Sequence, residues 1–132
     1  MENEIKFQRT KHILFWQKIA DILEVSDNYR NAAQVKQAAF RILFSDEKVP
    51  ACLCFACEYD TLVIKSKKED SYEKDCHYCP LKWPGKSGRC DDDSDGLFSK
   101  FRAALEHKDK NAAINYAKLI RDCQVKRGIK YE

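Results

Sequence analysis

Cysteine is the residue type in this chain whose number and spacing could support chemistry. The 132 residues include seven cysteines, and six of them lie between positions 52 and 90. Two pairs have C-x2-C spacing, Cys54 with Cys57 and Cys76 with Cys79, and 18 residues separate the pairs. Two thiolates three residues apart on a tight turn can reach one metal ion at about 2.3 Å, and two such turns complete a tetrahedron. The spacing therefore predicts a four-thiolate zinc site.

Other interpretations of the cysteines remain open from the sequence alone. An iron–sulfur cluster would use the same four thiolates. Cys90, eleven residues after Cys79, could replace any one of the four ligands, and Cys52 could compete with Cys54. Cys123 is far from the others in sequence, so we expect it to be a small core hydrophobe rather than a ligand.

The segment that holds the two motifs has few large apolar side chains, which indicates what the metal would do. A structural zinc ion contributes roughly 10–16 kcal/mol of apparent binding energy in small peptides, comparable to the stability of a whole domain. A catalytic zinc would instead need an open coordination position and a nearby carboxylate base. Glu58 and Asp75 flank the motifs and are the candidates for that base. We favour a structural ion and predict that the protein is not an enzyme.

Aromatic and charged residues near the cysteines are candidates for contact with a partner. Trp83 could be a binding residue, because tryptophan is enriched at interaction hot spots. An aromatic residue beside a zinc knuckle more often covers the metal, and we favour that role. The lysines and tyrosines of this region could also contact nucleic acid, although the acids among residues 65–75 balance much of the charge. The other interaction candidates are Lys67, Lys68, Asp91, Asp92 and Asp93.

The acidic run DDDSDG, at residues 91–96, begins like a calcium-binding loop. The twelfth position of such a loop should be a bidentate glutamate, and here it is Arg102. Calcium binding is therefore not predicted, and Ser94 or Asp95 is expected to cap the following helix.

Outside the cysteine-rich segment, apolar residues recur at the spacing of amphipathic helices. We expect Ser26 or Asp27 to cap the second helix and Pro50 to end that region. TLVIK (61–65) could be a short strand, and a hairpin near 59–75 is the only β structure expected. The tail should fray at Gly128. The predicted helices are 10–24, 28–44, 97–107 and 111–123, and the residues predicted to face the core in the first two include Ile13, Trp16, Ile19, Ala20, Leu23, Val35, Ala39, Ile42 and Leu43.

These elements predict a mainly α fold in one domain. An N-terminal and a C-terminal helix pair should pack around a four-cysteine zinc-knuckle node. The expected divisions are 1–50 helical, 51–96 zinc-binding, 97–126 helical and 127–132 tail.

Composition and the lack of long apolar runs indicate where the protein is located. The net charge is +3 and 34% of the residues are charged, which neither requires nor excludes nucleic acid. The first residues, MENEIKFQRTKH, lack the apolar region of a signal peptide, and no apolar run approaches the ~18 residues that span a bilayer. We therefore expect a cytoplasmic protein without a membrane partner, and paired cysteines in the cytosol more often bind metal than form disulfides.

The order of the motifs resembles small cysteine-rich proteins of phages and prophages of Gram-positive bacteria. The closest correspondence is C-F-x-C-E-Y at 54–59 and C-x-x-C-P-L-x-W-P at 76–84. The resemblance implies metal binding through both motifs, with Cys90 at a matching position, and it implies no particular activity. For a protein of this kind we expect a protein-interaction module that acts on a host defence or replication factor. Nucleic-acid binding and metal-dependent catalysis are the alternatives.

Overall fold

A computed structural model describes residues 5–29, 31–47, 54–67, 78–84 and 96–132. The prediction of a mainly helical protein is confirmed, because the described segments form five helices and one small sheet of two strands. The elements in chain order are α1 (Arg9–Val25), α2 (Ala32–Leu43), α3 (Phe55–Ser66), β1 (Leu81–Lys82), α4 (Leu97–Glu106), α5 (Lys110–Arg121) and β2 (Gln124–Val125). None of the helices in these segments has the length and apolarity needed to cross a bilayer.

Helix α1 forms the centre of the core and contacts α2, α3 and α5. Trp16, Ile19, Ala20 and Leu23 are buried as predicted, but Ile13 is 37% exposed. The flanking helices cover a stripe centred on Phe15 and Ile19, which leaves Ile13 at its edge. The buried residues of α1 are His12, Phe15, Trp16, Ile19, Ala20, Ile22 and Leu23.

His12 lies near the start of α1 and is part of the buried core. It is 1% exposed, and its Nε2 lies 3.0 Å from the carbonyl oxygen of Ile120 in α5. Burial is the main reason that its pKa falls from 6.5 to about 4. Neutral His12 therefore belongs to the packing between α1 and α5.

Helix α2 begins later than the sequence suggested. Its N-cap is Asn31, whose side chain accepts a hydrogen bond from the Gln34 amide at 3.0 Å, so the prediction of Ser26 or Asp27 was wrong. Val35 and Ala39 are buried as predicted, but Ile42 is 60% exposed. Phe40 fills the core at that end of the helix instead, where its ring packs against Phe15 and Phe55.

Residues 61–65 belong to α3, so the prediction of a strand there was wrong. The β-branched residues of TLVIK suggested a strand, but the buried positions Ala56, Asp60 and Ile64 recur every four residues, which is the helical period. The predicted hairpin near 59–75 is contradicted as far as Lys67, and residues 68–75 lie outside the described segments.

Helices α4 and α5 match their predicted positions and pack against each other. The core between them and α1 includes Phe101 and Ala117, both fully buried. Gly96 is the N-cap of α4 and offers no side-chain cap, whereas the Asp109 carboxylate caps α5 by accepting the Ala112 amide at 3.2 Å. The candidate caps Ser94 and Asp95 are not among the described residues.

The two strands join the cysteine-rich segment to the end of the chain. They are antiparallel, with Leu81 opposite Val125 and Lys82 opposite Gln124. This sheet was not predicted, because two-residue strands 43 positions apart leave no periodic pattern in the sequence.

The C-terminal tail is paired with the start of the chain, so the prediction that it frays at Gly128 was wrong. The Phe7 amide donates to the Lys130 carbonyl at 2.9 Å, and the Glu132 amide donates to the Phe7 carbonyl at 3.0 Å. The Thr10 amide completes the set by donating to the Glu132 carbonyl at 2.8 Å. Phe7 is fully buried beneath this contact.

Candidate metal centre

The structure describes four of the seven cysteines, and each of these four is free of disulfide bonds. They are Cys54, Cys57, Cys79 and Cys123. Cys52, Cys76 and Cys90 lie outside the described segments, as do Lys68, Asp75, His77, Asp91, Asp92 and Asp93. The placement of three of the four expected ligands can therefore be described.

The first C-x2-C motif lies at the N-terminus of α3. Cys54 is the N-cap and Cys57 is in the first turn, so the tight turn expected from the sequence is the first turn of a helix. The two side chains hydrogen-bond each other, and this contact is the largest cause of the lowered pKa of Cys54, about 6. Thiolate is the form of cysteine that binds metals, so this turn favours metal binding.

Three further groups favour the Cys54 thiolate. The ammonium of Lys36 acts on it across the interior, and the backbone amides of Ala56 and Cys57 face the sulfur without closing a capping hydrogen bond. Lysine is rarely buried, yet Lys36 is only 7% exposed, with Nζ 4.7 Å from the centre of the Phe98 ring. Through this electrostatic effect, the buried Lys36 cation offsets part of the negative charge of a thiolate at Cys54.

The second motif reaches the core at Cys79, two residues before β1. Trp83 follows the strand, is 7% exposed, and donates its indole N–H to the Cys79 sulfur at 3.2 Å. The indole thus covers the Cys79 sulfur, and its burial leaves little surface for a partner. Burial is the main cause of the raised pKa of Cys79. The Leu81 amide and the Trp83 indole oppose it, and the charge of Cys54 adds to it.

Asp60 links the two motifs and was missed by the sequence analysis. It lies one turn after Cys57 in α3 and is 3% exposed. Its Oδ1 accepts a hydrogen bond from the Tyr78 amide at 2.7 Å, and Tyr78 directly precedes Cys79. The only sequence signal is weak: Asp60 lies at four-residue spacing from the apolar Ala56 and Ile64, in a helix that also carries charged residues.

Cys123 lies closer to the site than its sequence position suggested. Trp83 follows β1 and Cys123 precedes β2, so the antiparallel register brings them to the same end of the ladder. Burial is the main reason that the pKa of Cys123 rises to about 12, and the charges of Cys79 and Asp122 add to the effect. Cys123 packs against the core, as expected, but it does so within electrostatic reach of Cys79.

Within the described residues, no group of three or more His, Cys, Asp or Glu side chains is arranged to hold a metal ion. Cys54 and Cys57 bring two sulfur atoms together at the start of α3, and Cys79 does not form a three-residue group with them. Thiols with N–H groups at the sulfur have the donor chemistry that zinc or an iron–sulfur cluster uses. The described residues thus offer donors of suitable chemistry but do not by themselves form a complete site.

Two of the remaining candidates can be placed. Lys67 is exposed just after α3, with Nζ 5.4 Å from the centre of the Tyr78 ring. Glu58 is half-buried in the first turn of α3.

Comparisons with protein-family models, with curated proteins and with solved structures gave no match for this chain.

Proposed function

We propose that this protein is a small helical binding module in which a structural zinc ion, held by Cys54, Cys57, Cys76 and Cys79, joins the cysteine-rich segment to the helical core. The observation that carries the proposal is the arrangement of the described thiols. Two lie at the start of α3, one lies two residues before β1, and each has a hydrogen-bonding partner at its sulfur.

A structural role for the ion is supported by the surroundings of the thiols. An indole and backbone amides lie at the sulfur atoms, and the charge of the buried Lys36 acts on Cys54; these groups stabilise thiolates rather than activate a water molecule. When bound, the ion would supply a fixed cross-link between α3 and β1. Removal of zinc should therefore unfold the region around both elements.

The experiment is chelation followed by metal return. Far-UV circular dichroism and amide NMR spectra of the full chain are recorded with zinc, after treatment with a strong chelator, and after zinc is restored. The proposal expects loss of ordered signals from residues 54–67 and 78–84, and their return with about one equivalent of zinc. Spectra that stay unchanged after removal of the metal would contradict it.

A protein of the bacterial host is the partner we propose, on the basis of the resemblance to phage proteins, with the cytoplasm as the location. A partner that requires the folded module should bind the wild-type chain and fail to bind a Cys79→Ser variant. Affinity capture from a Gram-positive host lysate with both chains tests this, and the captured protein must then bind the purified module directly.

One specific observation favours nucleic-acid binding as a second candidate. The paired chain ends bring Arg9 next to the residues around Lys130, and the Arg9 guanidinium lies 4.9 Å from the centre of the half-exposed Tyr131 ring. Lys6 and Lys11, from the same stretch, form ion pairs with Glu132 and Glu47. Binding of a fluorescent oligonucleotide that weakens steeply between ~50 and ~200 mM salt would support this candidate, and no binding at ~50 mM would exclude it.

A further inference from the structure

We propose that Asp60 is the positioning residue of the thiolate site, because its carboxylate holds the second cysteine motif against the helix that carries the first. This inference rests on the metal site proposed above. It assigns a role to a residue that is not itself a ligand.

The contact is specific in position. Cys57 and Asp60 are three residues apart in α3, so they lie one turn apart on neighbouring parts of the same face. Tyr78 and Cys79 are adjacent within the second motif, and the Asp60 Oδ1 is 2.7 Å from the Tyr78 nitrogen. Asp60, on the helix that carries the first motif, thus holds the backbone of the second motif at Tyr78, one residue before the sulfur of Cys79.

The burial of Asp60 argues against an incidental surface contact. Its exposed fraction is 3%, and removing a carboxylate from water is unfavourable unless hydrogen bonds compensate. An apolar side chain of similar size would serve simple packing at lower cost. A charge-assisted bond to a backbone amide supplies direction, which packing alone does not.

The metal gains from this contact by pre-organisation. If the second motif is already docked on α3, less chain must be ordered when the ion binds. Outer groups that orient metal ligands typically change metal affinity by about 10–100-fold when they are removed. Loss of the Asp60 acceptor should therefore lower the zinc affinity, while the packing of α1, α4 and α5 should be affected less.

The test compares zinc affinities of the full chain by chelator competition, with Co²⁺ absorption to report the thiolate geometry. Asp60→Leu keeps the branched shape, adds some volume and removes the acceptor, so zinc binding should weaken at least tenfold. Asp60→Asn keeps an acceptor oxygen and should stay within about tenfold of wild type. Glu58→Gln, on the same helix but half-buried, is the matched control and should match wild type.

If wild type binds zinc, the proposed function stands, and any of three results would overturn the inference about Asp60. Asp60→Leu could bind zinc less than tenfold more weakly than wild type, or Asp60→Asn could bind it more than tenfold more weakly. The third result is that Glu58→Gln weakens zinc binding as much as Asp60→Leu does. If wild type binds no zinc, the proposed function itself fails.

A measurement on wild type and Asp60→Asn keeps the test decisive if Asp60→Leu does not fold. The Tyr78 amide should be protected from hydrogen exchange in zinc-loaded wild type, and its protection should fall several-fold in Asp60→Asn. The Lys126 amide, which donates to the Pro80 carbonyl at 2.8 Å, is the internal reference and should not change. Exchange of the wild-type Tyr78 amide at the rate of a free amide would overturn the inference.

Discussion

The indole N–H of Trp83 donates to the sulfur of Cys79, so an aromatic side chain both covers a candidate ligand and hydrogen-bonds to it. The sulfur loses water on one side and gains an N–H donor in its place. A thiolate in this position is stabilised relative to one buried without a donor.

Trp83→Phe removes the donor while keeping an aromatic ring. Because one hydrogen bond is worth about 1 kcal/mol, zinc affinity should fall about fivefold in a chelator competition. Trp16→Phe is the matched control, because the buried Nε1 of Trp16 has no hydrogen-bond partner. That control should lower the free energy of unfolding and leave zinc affinity unchanged. Equal zinc affinities in Trp83→Phe and wild type would show that the contact to Cys79 does not support the metal.

Deletion of residues 127–132 should destabilise the protein, although these residues are at the end of the chain. The truncation removes the three backbone hydrogen bonds that tie the tail to residues 7–10, one further bond at the start of the tail, and the cover over Phe7, which should lower the free energy of unfolding by about 2–4 kcal/mol. Urea denaturation monitored by circular dichroism measures the loss. Tyr131→Ala is the control, because its side chain is 50% exposed and should cost less than about 1 kcal/mol. A truncated chain as stable as wild type would contradict the pairing of the termini.

Lys108→Gly should stabilise the protein. Lys108 has φ 58°, a left-handed conformation that costs most residues about 1 kcal/mol and costs glycine almost nothing. We expect a gain of about 0.5–1 kcal/mol in the free energy of unfolding, measured by urea denaturation. Lys118→Gly, inside α5, should instead lose about 1 kcal/mol. Equal destabilisation by the two substitutions would contradict the left-handed conformation of Lys108 between α4 and α5.

Stability should decrease on acidification because of His12. Its pKa is about 4 in the folded protein and 6.5 when unfolded, so the unfolded chain binds more protons between these values. The contribution of neutral His12 is therefore complete above pH 6.5 and is lost as the pH falls towards 4, by up to about 3 kcal/mol. His12→Gln cannot titrate, so its stability deficit relative to wild type should shrink between pH 7 and pH 5. A constant deficit would contradict the burial of a neutral imidazole.

The helical framework could be predicted from the sequence because it depends on local periodicity. Helices α1, α4 and α5 carry clear apolar stripes, and their bounds agree with prediction within two residues. Helix α3 was not predicted, because TLVIK is rich in β-branched residues, which favour strands. The burial of Ala56 and Ile64 on one face, which only the tertiary structure shows, favours the helix. The paired termini could not be predicted, because their hydrogen bonds use backbone atoms that every residue has.

The sequence marks only some of the residues at the candidate site, those that follow a local spacing rule. The C-x2-C spacing marks Cys54, Cys57 and Cys79 directly. Asp60, Lys36 and Cys123 come near the thiols only through tertiary packing. A buried aspartate, a buried lysine and a distant cysteine look ordinary in a sequence in which 34% of the residues are charged.

The most direct test of the central claim is the metal content of the purified full chain, measured by elemental analysis beside a Cys54→Ser variant. We predict about one zinc ion per wild-type chain and almost none in the variant. Wild-type protein that carries no zinc after expression in zinc-supplemented medium, or that carries iron with sulfide instead, would contradict the account.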